Sequence, residues 1–417
     1  MSDSKTSRCD VAIAGGGMVG LSLAAALAEL PLDVVVIEPV LPEAQEQPSF
    51  DSRTTALSAG SRRVLEGIGA WRAVASQATP IRCIHVSERG AFGTARLTAA
   101  EQGVAALGYT IENRLLGQAL RERAAAIPRL RICPAGVREA RAREEAVLLR
   151  TDGGDSFAAR LAVAADGAQS AVRKMLGIEA SISDYGQHAI IAHVDTARFH
   201  DYTAYERFTP TGPIAVLPIT NGRSAVVWTL APDDARRVLA LDDVSFLAEL
   251  QQAFGLRLGR FKRVGRRQSY PLSLTRSASL TAPRAVIVGN AAQALHPVAG
   301  QGFNLALRDI AMLAELLADG IGSDPGAPPL LERYAKWRAP DRKAVIRFTD
   351  SLVRGFGLPP APLRQLRGSG LLLFDLLRPI KHEFARRTMG LAGRQPRLVR
   401  GLPLLSRQAA AAADVGA

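Results

Sequence analysis

The sequence predicts an α/β fold: a Rossmann-like nucleotide-binding domain interleaved with a mainly antiparallel β-sheet domain, followed by C-terminal helices. Three observations predict it. Near each end of the chain an apolar strand pattern runs through a glycine-rich turn into a helical pattern. Between them, residues 188–230 carry alternating or β-branched runs such as Ile190-Ile191-Ala192-His193-Val194 and Ser224-Ala225-Val226-Val227-Trp228-Thr229, which read as sheet. From Arg342 onward, leucines and arginines interleave in short segments that read as helices.

The N-terminal element is the strand Val11-Ala12-Ile13-Ala14, the turn Gly15-Gly16-Gly17-Met18-Val19-Gly20, and an alanine- and leucine-rich helix from Leu21 to Leu30. A second strand, Val34-Val35-Val36-Ile37, ends in Glu38, 18 residues beyond Gly20. In this context Gly15 permits the tight turn, Gly17 lets backbone approach a pyrophosphate, and Gly20 lets helix and strand pack closely. Glu38 is placed to accept hydrogen bonds from ribose hydroxyls. An acid there disfavours a 2′-phosphate, so the half-site reads as FAD or NAD, not NADP.

The late element begins with the strand Ala285-Val286-Ile287-Val288. It turns through Gly289-Asn290-Ala291-Ala292-Gln293 and His296-Pro297-Val298-Ala299-Gly300-Gln301-Gly302-Phe303-Asn304, and enters a helix near Leu305. Such a geometry aims backbone N–H groups and a positive helix end at an anion. Two turns of this kind suggest one large cofactor held by both ends of the chain.

With 417 residues, 47% of them hydrophobic, the chain is long and apolar enough for two or three domains, and wholesale disorder is excluded. Cys9, Cys83 and Cys133 lack metal or redox spacing and read as small buried hydrophobes in a reducing compartment. No metal site is expected. Residues 1–8 are polar and no apolar run reaches about 18 residues, so neither a signal peptide nor a spanning helix is expected, and the protein reads as cytoplasmic.

The net charge is +13, and Arg342 to Arg407 alone holds fourteen Lys or Arg against three acids (Asp350, Asp375, Glu383), or 14 − 3 = +11. Its apolar residues suit an interfacial helix on an anionic bilayer, or equally a helical cap packed on the core with its arginines solvated. Nucleic acid is disfavoured because aromatics for stacking are sparse. The alanine-rich tail, 408–417, is expected to be disordered.

A third motif follows the strand pattern Leu161-Ala162-Val163-Ala164-Ala165. It is Asp166-Gly167-Ala168-Gln169-Ser170-Ala171-Val172-Arg173, in which Asp166 and Gly167 close a turn and Ser170 can cap a helix. The Gly-x-Gly-x-x-Gly start, the Asp-Gly middle and the Gly-Gln-Gly-x-Asn end, in this order over roughly residues 9–345, resemble the single-component flavin aromatic hydroxylases, the family of para-hydroxybenzoate hydroxylase. The resemblance implies a FAD-binding domain over 1–75, 105–180 and 270–340. It implies a substrate domain over 76–104 and 181–269, with 341–407 as the basic helical region. Asp166 and Gly167 would then serve FAD and NAD(P)H. Gly289, Asn290, Pro297, Gly300, Gln301, Gly302 and Asn304 would hold the ribityl chain and the isoalloxazine. The family usually has aspartate where Asn290 stands; an amide oxygen still accepts a hydrogen bond, but a negative charge is removed.

Within the family the chain looks most like the ubiquinone-biosynthesis branch of 2-polyprenyl-6-methoxyphenol hydroxylases. The resemblance rests on Asp51-Ser52-Arg53-Thr54-Thr55-Ala56-Leu57-Ser58, on Ala204-Tyr205-Glu206-Arg207-Phe208 with Gly212-Pro213-Ile214-Ala215-Val216-Leu217-Pro218, and on the Asn-Ala-Ala-Gln variant with His296-Pro297. It implies that NAD(P)H reduces FAD, O2 yields a flavin hydroperoxide, and a polyprenylated phenol is hydroxylated. By position, Arg53 and Arg114 would contact the flavin. Pro297 would lie beside its ring. His296 is either a general base for the phenol or a turn residue oriented by Pro297. Tyr205 and Arg207 either line the substrate cavity or, for Arg207, pair with an acid across strands. Such a substrate implies a membrane surface or a ubiquinone-biosynthesis complex as partner, and a homo-oligomer is left open. A geranylgeranyl-reductase-like flavoprotein and a flavin-bearing scaffold are the competing readings.

Overall fold

The computed structural model describes residues 6–40, 53–356 and 361–405. Asp51, Ser52 and the tail at 408–417 therefore lie outside the described residues. The first sheet is built on parallel strands in the order Thr281–Ala282, Ala285–Ile287, Ser156–Ala164, Ser7–Ala14, Val34–Ile37, Leu130–Cys133. Leaving out the antiparallel edge strand Thr281–Ala282 and numbering the other five along the chain gives the spatial order 3-2-1-4-5, the half-sheet of a doubly wound fold. Val11, Ile13, Val35, Leu161 and Val286 are buried, as parallel strands covered on both faces require.

The helix Met18–Ala26 is apolar all round and buried along most of its length, packed against Gln301–Asp319. That second helix is also buried nearly throughout, including its polar Asn304, Arg308 and Asp309. It starts four residues earlier than the sequence pattern suggests, because Gly300, left-handed at φ 59°, caps it.

The second sheet is mainly antiparallel. Its order is Gln293–Ala294, Gln268–Ser277, Ala180–Thr196, Ser224–Leu230, Gly212–Pro218, Thr203–Thr209, Cys83–Glu88, Thr94–Thr98, with Phe261–Val264 also on Ala180–Thr196. The strand Gln268–Ser277 thus belongs to this sheet, and the chain rejoins the first sheet only at Thr281–Ala282. A small third sheet of Thr54–Ser58, Gly108–Glu112 and Thr79–Ile81 stands between them. One face of the second sheet packs on the helices Pro232–Leu239 and Asp243–Phe254, burying Trp228, Phe246 and Phe254.

The C-terminal helices are Pro328–Phe356, Ala361–Leu376 and Arg378–Thr388. They pack back on the body. Arg342 donates to the Ser277 carbonyl at 2.8 Å, Arg367 pairs with buried Glu88, and Lys381 sits 3.1 Å from both Glu101 and Asp375. Part of the basic charge is therefore spent on tying these helices down, while Arg378, Arg386 and Arg387 stay exposed.

Candidate active site

Strand register brings the three motifs into one row. Ala14 lies beside Ala164, and Ala164 beside Ile287, so the turns at residues 15, 166 and 289 leave adjacent parallel strands at the same edge. Ile37, the residue before Glu38, is the neighbour of Ala14 on the other side. Strand order reverses here, where open α/β sheets bind ligands.

At the first turn Gly15 has φ 107°, and a side-chain carbon there would sit 2.5 Å from the Ala165 carbonyl oxygen. At Gly20 the same carbon would meet the Gly15 oxygen at 1.8 Å, so helix and turn are in direct backbone contact. Gly17 caps the helix. Glu38 accepts from the Gly16 N–H at 2.6 Å and the Val40 N–H at 3.0 Å, so its carboxylate fastens the first turn.

Asp166 accepts from the Ser170 hydroxyl and from the Val172 N–H at 3.1 Å, and the Ser170 hydroxyl accepts from Arg173 N–H at 3.0 Å. The acid therefore shapes the cap of the helix Ala171–Met175. Gly167, at φ 87°, faces open space. Arg173, whose weight the motif alone does not reveal, is buried and donates to the carbonyls of Ala168 at 3.2 Å and Ala291 at 2.7 Å.

Gly289 (φ 60°) packs on Val19, where an added carbon would fall 2.9 Å from Cγ1, so the early and late turns touch. Asn290 is exposed at the edge of the row. Gln293 is buried between Asp309 and Arg342, at 3.0 and 2.9 Å, and Asp309 in turn pairs with Arg338 at 2.6 Å. Pro297 opens a single tight turn in which Ala299 is left-handed at φ 59°. Gln301 donates to the Ala299 carbonyl at 3.0 Å. Asn304 accepts from Ser58 N–H at 2.7 Å and donates to the carbonyls of Ala56 (2.8 Å) and Gly300 (2.6 Å), binding the late loop to the strand Thr54–Ser58. Gly302 has open space around it.

His296 is buried, and its Nδ1 accepts from the Val298 N–H at 3.1 Å. Burial holds the ring neutral, its pKa lowered to about 4. With Nδ1 accepting, the proton sits on Nε2, which has no partner among the described residues. The ring lies edge-on to Tyr185 at 5.2 Å. This is the geometry of an oriented turn residue and a donor; a base would first have to release Nδ1. The Arg53 guanidinium lies 5.0 Å over the Tyr270 ring, and Arg114 pairs with Glu112 at 2.8 Å.

An apolar cavity of about 250 Å³ lies between the late loop and the second sheet. Val298, Ala299, Ile84, Leu97 and Phe208 line it, together with Leu352, Leu371 and Phe374 of the C-terminal helices. A larger groove of about 880 Å³ is lined by Gln301, Arg308, Trp337, Phe348 and Arg394. The sequence reading of Tyr205 and Arg207 as cavity residues is corrected here. Side chains alternate along a strand, and both of these face the helix Asp243–Phe254: Tyr205 stacks edge-on to Phe254, and Arg207 donates to the Ala253 carbonyl. Among the described residues no acid pairs with Arg207; burial and the neighbouring Arg257 and Arg89 lower its pKa. Glu206 and Phe208, one residue over, face the cavity.

The row fits FAD. Gly167 and Gly302 leave space where a side chain would intrude, and two helices start beside it, offering the N–H groups of their first turns to phosphate and ring oxygens.

Known proteins agree. The model of the FAD binding domain family matches residues 8–349. The chain is 41% identical to ubiquinone hydroxylase UbiL of Rhodospirillum rubrum, over 95% of this chain and 93% of that protein. It is 33% identical to 3-demethoxyubiquinol 3-hydroxylase of Escherichia coli over 92% and 98%, and 27% identical to the human mitochondrial ubiquinone biosynthesis monooxygenase COQ6 over 90% and 91%. The crystal structure of p-nitrophenol 4-monooxygenase PnpA from Pseudomonas putida superposes with a TM-score of 0.77, covering 94% of this chain and 100% of that one, at 20% identity. The chain belongs to the FAD binding domain family and is a FAD-dependent monooxygenase, similar over nearly its whole length to the ubiquinone hydroxylases.

Proposed function

We propose that the protein hydroxylates the ring of a polyprenylated phenol in ubiquinone biosynthesis, with 2-polyprenyl-6-methoxyphenol as its substrate and NAD(P)H and O2 as co-substrates. The observation that carries this reading is the apolar cavity. Its lining joins Val298 and Ala299 of the flavin loop to Leu352, Leu371 and Phe374 of the C-terminal helices. At about 250 Å³ it is smaller than the roughly 300–1,000 Å³ that encloses a whole ligand, so it suits a ring and the start of a tail that continues outward. When bound, FAD supplies the activation of O2 that delivers one oxygen atom to an electron-rich ring. The chain's own residues do the rest. Gly15 and Gly20 form the tight turn that lets Gly17 admit the pyrophosphate, Glu38 takes the ribose, and Arg53, Arg114, Asp166 and Asn290 flank the cofactor. Pro297 and Gly300 shape the loop at the ring, with Gln301 and Asn304 fixing it. Asn290 and Gly289 take the ribityl side.

The tail calls for a lipid surface, and exposed apolar side chains lie on the helix that also lines the cavity. Leu372, Leu373, Leu376, Leu377 and Ile380 are exposed together at the junction of two C-terminal helices, with Leu376 68% exposed and Arg378 beside them. Such a mixture suits peripheral docking on an anionic bilayer. No helix among the described residues is long and apolar enough to cross one.

The decisive experiment supplies the purified flavoprotein with NAD(P)H, isotopically heavy O2 and a short-chain prenylated methoxyphenol. A ring product carrying one heavy oxygen is expected. Consumption of O2 into hydrogen peroxide alone defeats the reading. A product with a saturated prenyl bond, formed without O2, would instead favour the reductase; the hydroxylases among the relatives favour the first outcome.

A further inference from the structure

Among the described residues that line the apolar cavity, Glu206 is the one ionisable group. The strand Thr203–Thr209 turns it inward beside Phe208, while Tyr205 and Arg207 point to the opposite face. Its Oε1 meets neither solvent nor a hydrogen-bond partner among the described residues. The Ala299 N–H lies near enough to the carboxylate to oppose the upward shift of its pKa, and Ala299 is held in the left-handed region on the loop that bears Pro297 and Gly300. A carboxyl with an unpartnered oxygen in an apolar cavity costs stability, so its placement next to the flavin loop calls for a chemical role. Burial pushes its pKa up to about 7, against the single Ala299 bond that lowers it.

We propose that Glu206 is the catalytic base of the hydroxylation, taking the proton of the substrate's ring hydroxyl at Oε1. The inference rests on the phenolic substrate proposed above. The phenol O–H bond breaks, its electron pair stays on the ring oxygen, and a new O–H bond forms on the carboxylate. The phenolate raises electron density at the ring carbons ortho and para to that oxygen, where the incoming oxygen atom is accepted. As aromaticity is restored, the C–H bond at the oxygenated carbon breaks and its proton ends in the water formed from the second oxygen atom of O2; the proton held by Glu206 returns to the ring oxygen, and Glu206 is again a carboxylate. A neutral phenol is a poorer nucleophile, and a base with a pKa near the working pH is the efficient one.

The competing role is structural, as a plain acceptor for the Ala299 N–H. Glu206→Gln separates the two, because an amide oxygen keeps that bond and cannot take a proton. Among the described residues no other titrating group lines the cavity; on the neighbouring strand Glu88, opposite Phe208 on the same face, is already paired with Arg367. Thr54–Ser58 offers Ala56, Leu57 and Ser58; Cys83–Glu88 offers Ile84 and Val86; the late loop offers Val298, Ala299, Gln301 and Asn304; the C-terminal helices offer Phe348, Leu352, Leu371, Phe374 and Phe384. Wild type, E206Q and E206D are purified with FAD and assayed for ring product across pH, together with the ultraviolet difference spectrum of bound 2-prenylphenol. The expected result is a kcat lower by roughly 100-fold or more in E206Q with KM little changed, and partial recovery in E206D. The wild-type rate falls as pH drops through about 7, and the phenolate band of bound 2-prenylphenol is lost in E206Q. E206Q with the wild-type rate and pH profile overturns the assignment, as does a loss of activity that merely tracks loss of FAD or of folded protein. Wild type that hydroxylates no phenol at all defeats the substrate reading first, and this one with it.

Discussion

Arg173 donates from Nη1 to the carbonyl of Ala291 at 2.7 Å, joining the Asp166–Gly167 turn to the Gly289 turn across 118 residues of sequence. The guanidinium is buried, and it also holds the Ala168 carbonyl. One side chain thus fixes the spacing of two of the three turns in the cofactor row. Arg173→Ala leaves buried carbonyls unpaired and should cost about 2–4 kcal/mol. Urea denaturation reads the stability, and the flavin absorbance per protein reads the cofactor; we expect both to fall. A stable variant with full FAD content refutes this coupling.

Gly20 and Gly302 make a contrasting pair. A side-chain carbon at Gly20 collides with the Gly15 oxygen at 1.8 Å, so Gly20→Ala should distort the first turn, lower the melting temperature and lose FAD. At Gly302 the same carbon meets nothing within 4 Å. Gly302→Ala lies in the first turn of a helix and should leave the apoprotein as stable or up to about 1 kcal/mol more stable. Its FAD affinity should nevertheless drop, because the open space is the cofactor's. Equilibrium dialysis of flavin against both variants is the check.

His296 and Glu206 give stability two opposed pH dependences. The His296 ring titrates near 4 when folded and near 6.5 when unfolded, so its contribution is complete above 6.5 and is lost as pH falls toward 4, roughly 3 kcal/mol in all. Glu206 is raised to about 7 from 4.5, so its contribution is complete below 4.5 and is lost as pH rises through 7. His296→Asn, which can still accept from Val298 N–H, should flatten the acid limb; His85, also lowered to about 4 by burial, leaves a residual slope. Glu206→Gln should be relatively more stable than wild type at pH 8. Denaturation midpoints taken across this pH range test both signs.

Membrane docking is best probed by point substitution, since truncation before Phe348 would remove one wall of the cavity. Leu373, Leu376 and Ile380 are each more than half exposed and can be replaced by serine with little effect on the fold. The triple variant should lose flotation with anionic vesicles and keep its turnover of a short-chain, water-soluble prenyl phenol. Equal flotation of variant and wild type refutes the docking surface.

Much of the cofactor end was legible in the chain itself. Glycines at Gly15, Gly20 and Gly289 are dictated by local geometry, and such constraints show as sequence patterns next to strands. The alternation in the substrate sheet was legible as well. Its phase was not: choosing Tyr205 and Arg207 over Glu206 and Phe208 requires knowing which face of the strand meets the late loop, and a one-residue shift swaps the faces.

By itself the sequence determined the α/β class, the two glycine turns, the Asp-Gly turn and the basic C-terminus, because each follows from local backbone preference or charge. Only the tertiary structure decided that Ala14, Ala164 and Ile287 stand side by side, that Arg173 ties two turns together, and that the C-terminal helices wall a cavity around one carboxylate. Those facts depend on strand order and on which faces meet. They are set by burial and hydrogen bonding between segments far apart in the chain, which local patterns do not encode.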